Sequence, residues 1–150
     1  LYKQLHLLKK YGAAVFASIG SGVAASVVSI FLMCRLMGLS HVNYVTLLPK
    51  SITTAIGMGV SEEAGGIVTL TVMSIILTGV IGNVLGELVF RITGVRHPIA
   101  RGLALGTSAH AIGTAKALEL GEIEGAMSSL SIAVAGLMTV IAVPIAANLI

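Results

Sequence analysis

Aspartate and tryptophan are missing from this 150-residue chain, and cysteine occurs once, as Cys34. A lone cysteine excludes an internal disulfide and a cysteine-rich metal site. At the end of an apolar run it reads as an inert thiol. Without Asp there is no Ser-His-Asp triad, and no nucleophile-elbow sequence occurs, so Ser108 beside His110 does not make an enzyme. Four histidines without a ligand-spaced pair give no metal site, and nothing calls for a cofactor. Three Tyr and three Phe offer few stacking surfaces, so the net charge of +3 is not read as nucleic-acid binding. Charge of either sign is scarce at 10%, against about 25% in soluble domains.

Apolar residues fill the space, at 56% of the chain and a mean hydropathy of +1.03. Residues 11–34, 64–86 and 125–150 carry no formal charge. Each reaches the roughly 20 apolar residues that cross a bilayer as a helix. The fold class is therefore an all-α integral membrane protein, with lipid as its first partner. Lys3, Lys9 and Lys10 precede the first span, and Arg91, Arg96 and Arg101 follow the second. The positive-inside rule places both groups in the cytoplasm, including the segment before residue 11. The chain opens without Met or a signal-peptide pattern and is expected to lack an N-terminal part of a longer protein.

That orientation leaves two shorter segments, 41–66 and 102–121, making no net crossing. Both are expected to be re-entrant and interrupted. "SITTAIGMGVSEE" and "SAHAIGTAKALE" share Ala-Ile-Gly at 55–57 and 111–113, and the same offset of 56 places Glu63 on Glu119. The offset implies an inverted repeat, with units at about 10–64 and 66–121 and a final span at about 122–150. Such repeats hold a ligand between discontinuous helices near the midplane. The breaks are expected at Ala55–Gly57 and Ala111–Gly113. Gly57, Gly59, Gly106 and Gly113 would allow bending or close packing, while "GNVLG" and "GLALG" match a helix-packing pattern.

A helix starting at such a break presents free amides to an anion. The residues expected to bind the substrate are Lys50, Ser51, Thr53, Thr54, Thr107, Ser108, His110 and Thr114. Pro49 is placed to open a helix. Ser51 and Thr54 fall on one helical face, as do Thr107, His110 and Thr114. Each has a blander reading. Hydroxyls in membrane helices commonly bond neighbouring backbones, Lys50 can snorkel to an interface, and His110 can sit neutral against a carbonyl. An ionisable residue inside an apolar segment is nonetheless a functional candidate.

The stretches "LLPKSITTAIGMGVSEEAGGI", "RHPIARGLALGTSAHAIGTAKALELGEIEGAMSSL" and "IAVPIA" resemble the LrgB/CidB family across essentially the whole chain. The resemblance implies a multi-pass protein of a bacterial plasma membrane. Its members are called antiholin-like, or regulators of murein hydrolase export and cell lysis. They are similar to the C-terminal half of the plastid glycolate/glycerate transporter, and bacterial members are associated with pyruvate uptake. A small LrgA/CidA-type membrane partner is also implied. From the site reading and the resemblance together we expect a transporter of small monocarboxylates. Holin/antiholin-like regulation is the alternative, and a purely structural membrane subunit a third class. A homodimer packed through glycine faces is the simplest assembly.

Overall fold

Six helices form the bundle in a computed structural model that describes residues 5–149, with side chains from residue 11. They are α1 (Leu5–Met37), α2 (His41–Leu47), α3 (Thr54–Glu63), α4 (Val68–Thr93), α5 (Pro98–Leu120) and α6 (Glu122–Ala146). Lys3 and Ile150 lie outside the described residues, as do the side chains of Lys9 and Lys10. Local chemistry sets the boundaries. Gly38 ends α1 and Gly94 ends α4, both with positive φ (64° and 71°), which glycine adopts without steric cost. Ser40 caps α2, its Oγ accepting from the Asn43 amide, and Pro98 occupies the first turn of α5.

Three helical stretches are long and apolar enough to span a membrane: Tyr11–Met37, Val68–Thr93 and Glu122–Leu149. Twenty-six helical residues rise about 39 Å, more than the roughly 30 Å of hydrocarbon. The protein is an all-α, multi-pass membrane protein. Most of the α4 surface is apolar and exposed, from Leu70 to Ile92, while a narrow stripe of Thr71, Ile75, Gly79, Gly86 and Phe90 is buried. That stripe packs against the two hairpins, while α5 packs most extensively against α6.

The remaining helices fold back on themselves within the bundle. The Tyr44 hydroxyl donates to the Ala146 carbonyl at the far end of α6 (2.9 Å), and Thr71 Oγ1 donates to the Thr46 carbonyl near the start of α4 (2.8 Å). Farther in, Ser51 Oγ lies 3.2 Å from Ser26 Oγ, well inside α1. α3 then retraces the path: Gly57 faces Ile75, and Ser61 Oγ bonds Thr71 Oγ1 (2.7 Å). The α2–α3 hairpin thus enters and leaves at the same end of the bundle.

α5 does the same from the opposite end. Its entry limb runs against α4, with Leu105 at Gly86, Ala109 at Gly82 and His110 at Gly79. Its return limb runs back along the same helix. Asn83 donates to the Ile112 carbonyl (2.9 Å), and Lys116 pairs with Glu87 (2.9 Å). The turning point is His110, at φ 42° and ψ −132°.

Several sequence expectations are corrected here. The first break lies at residues 48–53, ahead of Ala55–Gly57. The second is at His110, one residue before Ala111. Pro49 therefore sits in the turn after α2 and does not open a helix. Ser51 belongs to that turn, while Thr54 begins α3, so they share no helical face. The positive φ of His110 likewise puts Thr107 and Thr114 on different limbs. Gly57, Gly106 and Gly113 serve close packing and not bending, since none has a positive φ. A Cβ at Gly106 would collide with Ser128 and Ser131 of α6, whereas Gly59 has open space beside it. The glycine faces of "GNVLG" and "GLALG" are consumed inside this chain: Gly82 and Gly86 meet α5, and Gly102 and Gly106 meet α6.

Candidate functional site

A cavity of about 820 Å³ lies between α1, α4 and the α5 entry limb and reaches the tip of the first hairpin. One wall is α1, through Ser18, Gly22, Ser26 and Ser29; the other is α4, through Thr78 and Gly82. Lys50 and Ser51 come from the first tip, Thr107 and Ser108 from the α5 entry limb. The Lys50 ammonium donates to Ser51 Oγ (3.1 Å), which itself lies against Ser26 Oγ. Lys50 supplies the cavity with a cation, and four segments (α1, the first tip, α4 and the α5 entry limb) surround it.

Thr107 sits at the seam. It is 8% exposed, and its Oγ1 has no hydrogen-bond partner. Buried hydroxyls are almost always bonded to protein or ordered water, which sets Thr107 Oγ1 apart from the other buried hydroxyls of the described residues. Its approach to α1 depends on Gly22, since a Cβ there would lie 2.8 Å from Thr107 Cγ2. Ser108 also lines the cavity, although its hydroxyl donates to the Ala104 carbonyl of its own helix (2.7 Å).

The other expected site residues stand outside the cavity. Buried His110 places Nε2 2.9 Å from the Ile75 carbonyl, pinning the α5 tip to the middle of α4. Thr114 Oγ1 donates to the His110 carbonyl (3.0 Å) and lies 2.7 Å from Ser128 Oγ. Those two residues hold the tip. Thr53 is the cap and Thr54 the first residue of α3, and neither lines the cavity. Of the eight, the cavity gathers Lys50, Ser51, Thr107 and Ser108.

The sequence profile of the LrgB-like family matches residues 1–149. The chain belongs to the LrgB-like family. It is 42% identical over 144 residues to the antiholin-like protein LrgB of Bacillus cereus (strain B4264), and equally to that of Bacillus anthracis (strain CDC 684 / NRRL 3495). The match covers 96% of this chain and 63% of each relative, so the chain spans less than two thirds of their length. No solved structure matches it.

Sequence reasoning overlooked one wall of the LrgB-like cavity. Ser18, Gly22, Ala25, Ser26 and Ser29 recur at helical spacing within "SIGSGVAASVVS" and form one face of α1. The signal was there as a stripe of small and hydroxyl residues in an otherwise apolar span. It was hidden because serine in a membrane helix ordinarily bonds its own backbone. Ser29 does so, donating to the Ser26 carbonyl (2.8 Å).

Proposed function

We propose that this LrgB-like chain forms the core of a carrier for small monocarboxylates of the pyruvate, glycolate or glycerate type, in the plasma membrane of a bacterium. The observation that supports it is a mainly apolar cavity that carries the Lys50 ammonium and several hydroxyls beside two hairpins that enter from opposite ends. A carboxylate leaving water needs donors already in place. Lys50 supplies charge, Ser51, Thr107 and Ser108 supply hydroxyls, and the α3 amide end with Thr53 and Thr54 supplies a favourable dipole. His110 and Thr114 act as positioning residues. The two span-plus-hairpin units, about 10–64 and 66–121, are proposed as an inverted repeat with about 122–150 as a closing span. A homodimer and a small LrgA/CidA-type membrane subunit are proposed partners.

The printed names of the relatives favour a second reading, an antiholin-like regulator of murein hydrolase export and lysis. They back it more directly than they back transport, for which the support is the site geometry. Proteoliposomes holding the full-length protein, with and without its partner, separate the two. Saturable uptake of labelled pyruvate, glycolate or glycerate is expected from a carrier. Absence of uptake, combined with altered autolysis in cells lacking the protein, would retire the carrier reading.

A further inference from the structure

The gap between α1 and α4 is filled differently in its two halves. In one half the α2–α3 hairpin bridges it. The Phe31 and Tyr44 rings meet edge-on with centroids 6.3 Å apart, while the Thr46 carbonyl and Ser61 Oγ both bond Thr71 of α4. Ile30, Cys34, Tyr44, Val45, Leu48 and Val143 close that half as a cluster, none more than 3% exposed. Behind the hairpin tip a void of about 10 Å³ lies beside Ser26, Ser51 and Thr107. That is room for one water and none for a carboxylate.

In the other half the α5 entry limb forms the floor, and the large cavity fills the space between the two spans. It runs from Lys50 and Ser29 to Ser18 and Ala100. Along α1, from Ser29 to Ser18, that is a rise of about 16 Å. A smaller cavity of about 140 Å³ continues it. The two share Ser18, Ala100 and Leu103, and the smaller one reaches Tyr11 and His97. Both of these are exposed, at the end of the bundle that carries Arg91, Arg96 and Arg101.

We propose that the Lys50 site is open to the cytoplasm and closed to the outside in this structure, with an access path from Tyr11 and His97 past Ser18 and Ala104 to Lys50 and the α2–α3 hairpin as the outer plug. The direction follows from the arginine-rich loop at the open end. An ammonium at this depth is costly in hydrocarbon and tolerated beside water, which such a path supplies. The path does not depend on what Lys50 binds. Only the protection by glycolate described next rests on the carboxylate reading above.

Thiol labelling of the full-length protein, with Cys34 replaced by Ala, tests it. Single cysteines replace Ser18, Ala104 and Ser29, which line the cavity from its mouth to its blind end and are all exposed small residues. A membrane-impermeant maleimide should react with all three in inverted vesicles and with none in intact cells. Ala100→Trp, placed where the two cavities join, should abolish the reaction of Ser29→Cys. Undiminished reaction there would overturn the path, as would reaction from the outside or equally from both sides. Reaction with a lipid-soluble maleimide alone would also overturn it and put this face of α1 against lipid or another helix. Glycolate should protect Ser29→Cys in inverted vesicles. Cytoplasmic labelling without protection would leave the path standing and remove the carboxylate reading. Protection against labelling that comes only from outside would do the reverse.

Discussion

His110 and Lys50 are both ionisable residues in an apolar setting, but their surroundings assign them different work. The imidazole is spent on the Ile75 carbonyl, and its backbone adopts a conformation that L residues rarely occupy. Such a conformation costs of order 1–3 kcal/mol and persists only where neighbours enforce it. His110→Ala keeps the strained backbone and loses the bond, so it should destabilise the protein by about 1–3 kcal/mol. Glycolate affinity of the remaining folded fraction should change less than that of Lys50→Met. Denaturation midpoints and calorimetric titration of both variants check this. A stable His110→Ala protein that no longer binds glycolate would put the imidazole in the site. In contrast, Lys50 has its ammonium at the cavity, where removing a charged partner of the ligand should cost about 1.5–3 kcal/mol, roughly a 10- to 150-fold loss of affinity.

At the level of elements, the fold depends on how closely the α5 entry limb can approach α6. Gly106 faces Ser128 and Ser131, and Gly102 faces the backbone of Glu124, leaving no room for a side chain. Gly106→Val is expected to push the limb outward at a cost of at least 1–3 kcal/mol, the usual range for overpacking. Melting temperature and the cavity's ligand affinity should fall together. A Gly106→Val protein with unaltered stability would show that this limb is free to slide. The spanning helices were legible in the sequence because length and hydropathy are collective properties of some twenty residues. That the short segments would turn back was also legible, through the arginine-rich loop at 91–101. The turning points were not. Ala-Ile-Gly drew attention as a repeated triplet, but the actual breaks depend on tertiary anchors, Ser51 to Ser26 and His110 to Ile75, separated by 25 and 35 residues. Spacing rules applied across a break then grouped Thr107 with Thr114, which lie on opposite limbs.

For the molecule as a whole, the opposed entry of the hairpins fixes which loops share a face of the membrane. Glu63, at the end of α3, and Arg96, ahead of α5, are exposed and lie beyond opposite ends of α4. Single cysteines at these positions, with Cys34 replaced, should react with an impermeant thiol reagent from opposite sides of intact cells and inverted vesicles. Arg96→Cys is expected to label from the cytoplasmic side. Labelling of both from one side would contradict the arrangement. Outside the chain, the apolar α4 surface meets lipid or a partner, whereas its buried stripe is committed to both hairpins.

That stripe has a mechanical corollary. α4 grips the first hairpin through Thr71 and the Ile75 side chain and the second through the Ile75 carbonyl, Gly79, Gly82 and Gly86, so the two attachments meet at Ile75. Both tips bear on the same short stretch of one helix, so a displacement of either hairpin there is felt by the other.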